Sequence, residues 1–207
     1  MTASVAPQGS GHPPSGRTSE AAVEPLGESG LFKRLAPAGA RVLDVGCGQG
    51  QLAMRLHAQG CIVTGVDTSH DALRAARAYR RGATAVSPRF FDLNADTPAL
   101  MGLSGDPFDL IVCRMVYPLL SDPAAFFSRV QVLLAPGGAL VVIDRLVGAA
   151  AEQLAQPGPG LTATAVAALT GSTGWTSVQC HHLDEGLTAF VLRTHVSSST
   201  TSAVGRV

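Results

Sequence analysis

The residues of this 207-residue chain best suited to chemistry are gathered in one stretch, Asp44-Val45-Gly46-Cys47-Gly48-Gln49-Gly50. Glycines at 46, 48 and 50 let a backbone turn tightly and approach a ligand with no Cβ in the way. Their spacing is G-x-G-x-G. A dinucleotide loop needs G-x-G-x-x-G so that a pyrophosphate can sit on the helix N-terminus, and Gln51 stands where that third glycine would be. Asp44, two residues before the first glycine, would repel a pyrophosphate but suits a ligand bearing an amino group. Downstream, Asp67 closes the run Thr64-Gly65-Val66-Asp67. A carboxylate there can accept hydrogen bonds from both hydroxyls of a ribose. Read alone, Asp67 also serves simply to introduce a helix capped by Ser69.

These residues need elements to hold them. Arg41 to Val45 reads as a buried strand, and Gln51 to Gln59 as a helix with Leu52 and Leu56 on one face and Gly60 just past its end. A short helix is expected before them, from Ser29 to Leu35. Ile62 to Asp67 is a second strand. Ser69 caps the next helix, whose Ala72, Leu73, Ala75 and Ala76 face inward and which stops at Gly82. Strand three is expected near Val86 to Phe91, and strand four from Phe108 to Arg114. Asp122-Pro123 starts a helix, with the acid at the cap and proline at the first helical position. That helix ends before Pro136-Gly137-Gly138, and Ala139 to Asp144 is strand five. A last helix near Thr162 to Leu169 precedes two runs, Trp175 to His182 and Leu187 to Thr194, joined by a turn at Asp184-Glu185-Gly186. The whole is an α/β alternation, a parallel sheet covered by helices and closed by an antiparallel hairpin.

With the loop opening a helix directly after a strand, VLDVGCGQG resembles the first motif of the class I S-adenosylmethionine-dependent methyltransferases. The resemblance covers about Leu31 to Thr194. It implies a Rossmann-like, doubly wound, seven-stranded sheet, mostly parallel with a C-terminal antiparallel hairpin. It implies S-adenosyl-L-methionine as cofactor, with Asp67 at the ribose. Asp92, in Phe90-Phe91-Asp92-Leu93, takes the place of an acid that accepts from the adenine amino group, and the backbone of Leu93 that of a contact to the ring. Asp96 is a nearby competitor for that role. FDLIVCR, then Met115 to Leu120, matches the segment beneath the sulfonium, so Arg114, Met115 and Tyr117 should face the methyl donor or the acceptor. The cofactor-binding set expected is Asp44, Gly46, Cys47, Gly48, Gly50, Asp67, Thr68, Asp92, Leu93 and Arg114. LLAPGGALVVID resembles the family's helix, turn and fifth strand, which carry little chemistry.

Methyl transfer from a sulfonium is an in-line displacement that positioning can largely drive, so no catalytic constellation is required. No catalytic residue is assigned. Tyr117 is a candidate base or a core residue. His57 is expected in solvent, and of His181 and His182 at most one can point inward. Arg74, Arg77, Arg80 and Arg81 recur at helical spacing and read as a solvated face. Arg114-Met115-Val116-Tyr117 replaces the Asn/Asp-Pro-Pro-aromatic run of nucleobase and glutamine N-methylation. Metal-dependent catechol methylation uses carboxylates at the ends of strands four and five and an Asn beside the latter; here strand four offers no terminal acid and Arg145 follows Asp144, so against that pattern no metal is expected. The formal net charge of zero gives no general attraction to nucleic acid or anionic membranes. Cys47, Cys61, Cys113 and Cys180 show no zinc or redox spacing and read as small buried hydrophobes of a reducing compartment. No secretory signal or membrane span is read, which makes the cytoplasm the expected location. The tails, residues 1–25 and 196–207, are rich in Pro, Gly, Ser and Thr and are expected to be disordered around one domain, 26–195. So little chain remains as a cover, Gly148 to Gly160 and the residues up to Leu35, that the site is open or is completed by a partner or homodimer mate. The expected activity is methyl transfer to a small-molecule O or N nucleophile. The rivals are a non-catalytic cofactor-binding partner or regulatory subunit, and a methyltransferase of RNA or protein.

Overall fold

The computed structural model describes residues 27–80, 88–103, 105–148 and 160–195. The expected tails and the expected helix stop at Gly82 lie outside the described residues, as do Val86 and Arg81. Seven strands form one sheet: β1 (Arg41–Val45), β2 (Ile62–Asp67), β3 (Arg89–Asp92), β4 (Phe108–Arg114), β5 (Leu134–Arg145), β6 (Ser177–His182) and β7 (Leu187–Arg193). Their order is β3-β2-β1-β4-β5-β7-β6. The first five run parallel, and β7 pairs antiparallel with both β5 and β6. This is the doubly wound, mostly parallel sheet with an antiparallel C-terminal pair that the sequence indicated.

Apolar runs such as Val42-Leu43 and Leu110-Ile111-Val112 are buried on both faces of the sheet, as a parallel sheet covered by helices requires. Alternate residues serve opposite layers. Val42, Val63, Leu110 and Val141 pack with α1 (Glu28–Leu35), α2 (Gln51–Ala58) and α3 (His70–Tyr79) through Leu31, Phe32, Leu52, Leu56 and Leu73. Leu43, Val45, Ile111 and Leu140 pack with α4 (Pro123–Leu133) and α5 (Ala163–Thr170) through Phe126, Phe127, Val130 and Leu169. The caps follow from local chemistry: Ser69 Oγ, Asp122 Oδ1 and Thr162 Oγ1 accept from the N–H three residues on, at 3.2, 3.0 and 3.1 Å.

The structure departs from the sequence reading at several points. Strand β3 is shifted, ending at Asp92. Strand β5 begins at Leu134, because Pro136-Gly137-Gly138 distorts its entry without ending it; the register with β4 jumps between Phe108 and Leu110. Three cysteines are buried, but Cys180 is exposed, because the outer strand β6 has little covering it. Arg77 and Arg80 are not a merely solvated face. Arg77 Nη2 donates to the Phe90 carbonyl at 3.0 Å and Arg80 Nη1 to the Pro88 carbonyl at 3.1 Å, tying α3 to β3. His57 is half-buried rather than free in solvent, with Nδ1 3.4 Å from the Cys61 carbonyl oxygen.

Candidate functional site

Parallel pairing sets the carboxyl ends of four strands along one edge. Asp44 lies opposite Gly65, Val45 opposite Cys113, and Asp67 directly beside Asp92. The chain leaves β1 into the glycine loop, which is pinned to β2: the N–H groups of Gly46 and Cys47 both donate to the Val66 carbonyl, at 2.8 and 3.0 Å. Gly46 has φ +68°, and a Cβ there would lie 2.1 Å from Val116 Cγ2. Only glycine lets the segment after β4 close over the loop. That segment is itself strained, since Met115 has φ +60°. Gly48 differs: a Cβ built there meets nothing within 4 Å, so the loop backbone faces open space.

That space is a cleft of about 1080 Å³ lined by Asp44, Gly46, Cys47, Gly48, Arg55 and Arg114, with α2 and α3 forming further walls. Asp44 sits on the α2 side of β1, where strand alternation puts it. It is 2% exposed, and among the described residues its Oδ2 has no hydrogen-bond partner. Burial pushes its carboxyl up to about 7, aided by the nearby Asp67 charge and opposed by the Ala53 N–H, Arg114 and Arg55. An orphaned buried acid lining a cleft is a receptor for a cation or a donor.

Asp67 is half-buried, and its two oxygens accept from the N–H groups of Gly48 and Ser69, each at 2.8 Å. The acid thus fixes the glycine loop and opens α3, and a carboxylate has acceptor capacity beyond two bonds. Both expectations for Asp67, loop-side ligand contact and introduction of the cap, are compatible with this geometry. Thr68 is exposed beside it. Asp92 is exposed at the next strand end, with Oδ2 3.1 Å from His70 Nδ1. Leu93 is half-buried, and its N–H donates to the Asp67 carbonyl at 3.0 Å. The competitor Asp96 is engaged elsewhere: its carboxylate accepts from the hydroxyl and the N–H of Ser121 and from the Asp122 N–H. Those bonds hold its pKa below the ordinary value.

One candidate takes another place, and burial sets the character of three more. Tyr117 is buried in the layer opposite the cleft, its ring stacked on Phe127 at a centroid distance of 5.7 Å. Burial raises its phenol pKa further, so it is a core residue and not a base facing the donor. Burial likewise drives the Cys47 thiol upward, away from a nucleophilic thiolate. Asp144 is buried, accepts from the Arg145 N–H at 2.8 Å and is raised by burial. His181 is half-buried, and burial together with Arg34 lowers its pKa.

Glu28 and Arg55, both at the site, had no sequence signal. Glu28, in the first turn of α1, accepts from Arg55 Nη2 at 2.5 Å and from Arg114 Nε at 3.0 Å. An acid at a helix start is explained by the helix dipole alone, and only the tertiary fold brings α1, α2 and the end of β4 together.

The donor set can be tested against S-adenosylmethionine. The orphaned Asp44 oxygen suits an ammonium, the open face of Gly48 admits close backbone approach, and Asp67 retains acceptor capacity for hydroxyls. The residues fit. Comparison with known proteins supports the same cofactor. A family model described as a methyltransferase domain matches residues 25–178. A ubiquinone biosynthesis O-methyltransferase of Xylella fastidiosa (strain 9a5c) is 37% identical over 134 residues, covering 62% of this chain and 52% of that protein. The chain thus spans about half the length of the curated relatives it matches. Among solved structures, a SAM-dependent methyltransferase from Aquifex aeolicus shares the fold with a TM-score of 0.65 at 17% identity, over 81% of this chain and 90% of that one. A magnesium protoporphyrin IX methyltransferase from Synechocystis, solved with bound SAH, gives 0.55 at 18% identity, over 76% and 74%. At those identities the likeness is one of fold. With the motif, the sheet order and the family match in agreement, the chain belongs to the methyltransferase domain family, within the class I methyltransferases whose cofactor is S-adenosylmethionine.

Proposed function

We propose that residues 26–195 form a methyltransferase domain that transfers a methyl group from S-adenosylmethionine to a nucleophile of a small molecule. The carrying observation is the orphaned Asp44 carboxylate, buried in the wall of the cleft beside the open glycine loop. In this reading Asp44 holds the cofactor's ammonium, the backbone at Gly46, Cys47, Gly48 and Gly50 lies against its amino-acid and ribose parts, and Asp67 and Thr68 face the ribose. Asp92 and Leu93 lie at the adenine, and Arg114 at the amino-acid end. The cofactor, when bound, supplies a methyl group activated by a positive sulfur. The chain's task is then to hold two reactants in line and exclude water, which accounts for much of such a rate.

An oxygen acceptor is favoured over nitrogen by the O-methyltransferase names of the relatives. Zero net charge argues against a nucleic-acid acceptor. The proposed location is the cytoplasm; among the described residues no helix is long and apolar enough to cross a membrane. A homodimer mate remains the proposed means of covering an open acceptor side. The test is transfer of labelled methyl from S-adenosylmethionine to a panel of phenols, carboxylic acids and amines. Label on an oxygen acceptor is expected. Cofactor binding with no transfer to any acceptor, or to extracted metabolites, would replace this reading with that of a cofactor-binding regulatory subunit.

A further inference from the structure

The guanidiniums of Arg55 and Arg114 converge on a single carboxylate. Arg55 Nη2 reaches one oxygen of Glu28 and Arg114 Nε the other. The Glu28 side chain is only 14% exposed, against 54% for Arg55 and 34% for Arg114. Both arginines line the cleft that Asp44 also lines. Among the described residues, each guanidinium makes this one hydrogen bond, which leaves most of its donors over. The cleft therefore has a buried acid with a free oxygen and, near it, two cations sharing one internal anion. A zwitterionic α-amino acid presents the complement, an ammonium and a carboxylate. Planar guanidiniums match a carboxylate in shape as well as in charge.

We infer that Arg55 and Arg114 receive the carboxylate of the cofactor's amino-acid end, and that Glu28 is an internal carboxylate occupying this place until the ligand displaces it or shares it. Glu28 belongs to α1, so the docking of this helix on the site is coupled to the ligand. Glu28 is then a positioning residue that weakens binding of the whole cofactor and leaves binding of its nucleoside part untouched. This inference rests on the reading that the cleft binds S-adenosylmethionine.

The test is calorimetric titration of the full chain with S-adenosylhomocysteine and with 5′-methylthioadenosine, which lacks the amino-acid end. Glu28→Gln is expected to tighten S-adenosylhomocysteine about threefold, and Arg114→Gln to weaken it about tenfold, the scale of an ion-paired hydrogen bond in a partly solvated place. Neither substitution should change the affinity for methylthioadenosine. Arg55→Gln, on the exposed side of α2, is expected to act in the same direction as Arg114→Gln and stands in for it should that variant not fold. A Glu28→Gln variant that binds S-adenosylhomocysteine no tighter than wild type overturns the inference. So do arginine variants that weaken both ligands alike, which would make the cluster a clasp for α1 only. A wild-type chain that binds both ligands equally overturns this inference, and the placing of the ammonium at Asp44 with it, but leaves binding of the nucleoside part standing. One that binds neither overturns the cofactor reading beneath it.

Discussion

Asp44 carries the sharpest prediction. Its carboxyl is raised from 3.8 to about 7, first by burial and then by the nearby Asp67, against the Ala53 N–H, Arg114 and Arg55. The folded chain therefore holds this proton where the unfolded chain has lost it. By linkage, the contribution of Asp44 to stability is fully present below its unfolded pKa of 3.8 and is lost as pH rises to about 7. At about 1.36 kcal/mol per pKa unit, the ionised acid costs the fold about 4 kcal/mol above that range. A ligand ammonium beside Asp44 favours the charged form. Binding below pH 7 must then release a proton, and affinity should rise up to about tenfold per pH unit before levelling above pH 7. The assay is calorimetric titration with S-adenosylhomocysteine from about pH 5.5 to about pH 8.5, in buffers of different ionisation enthalpy that count the released proton. Asp44→Asn keeps an acceptor for the Ala53 N–H and removes the charge. It should flatten the pH profile, weaken binding above pH 7, and raise stability toward denaturant there by up to about 4 kcal/mol. The Asn variant also separates this proton from any carried by the ligand. An affinity that is flat in pH with no proton released, or an Asn variant less stable than wild type at alkaline pH, would refute the reasoning.

Asp67→Ala removes the acceptor of the Gly48 and Ser69 N–H groups as well as the proposed ribose contact. Calorimetry should show S-adenosylhomocysteine weakened by roughly tenfold to hundredfold, while far-ultraviolet circular dichroism shows the fold retained. Gly46→Ala would place a Cβ 2.1 Å from Val116 at a φ of +68°. The denaturation midpoint should fall with a loss of at least ~1–2 kcal/mol; the same substitution at Gly48 meets no atom within 4 Å and should act more on ligand affinity than on stability. Asp122→Ala removes the α4 cap and should cost about 1 kcal/mol in chemical denaturation with no change in ligand affinity.

The strands, their parallel order and the glycine loop were legible because they follow local rules. Residues such as Val42, Leu43, Ile111 and Val112 must be buried on both faces, and Gly46, Gly48 and Gly50 adopt backbone angles that other residues resist. Asp44 and Asp67 were legible because Asp44 stands two residues before the loop's first glycine and Asp67 ends the strand that follows. The rest depends on tertiary approach. Tyr117 follows β4 and looks available in sequence, yet the turn through Met115 sends it into the layer of Phe127. Asp96 and Asp92 are equivalent by type; the pairing of β3 sets Asp92 beside Asp67, whereas Asp96 is taken up by Ser121 and Asp122 at the start of α4. Arg77 and Arg80 share a helical spacing with Arg74, which pairs with Asp71 on its own helix, while the two others reach carbonyls of β3. Glu28 gains its partners from elements far away in sequence.

The cost of Asp44 to the fold and its fitness for a ligand have one origin. Strand alternation fixes which face it points to, and the sheet with α2 shuts out the water that would otherwise solvate its charge. Among the described residues one oxygen remains without a partner, so the fold leaves the acid half answered. A solvated acid at the same strand end would cost nothing in stability and would offer a ligand ammonium little beyond what water already offers. Burial makes the missing partner valuable, because a cation arriving there satisfies an oxygen that none of the described residues satisfies. Glycine at 48 completes the arrangement by leaving the backbone opposite bare. The stability lost at β1 and the selectivity gained for an amino-bearing ligand should therefore rise and fall together in variants that change the solvation of Asp44. Leu52 is the place to see it: a Leu52→Ser substitution in the cleft wall should lower the Asp44 pKa and shrink the pH dependence of binding in step. A lowered pKa with undiminished pH dependence would mean that the ligand's amino group lies elsewhere.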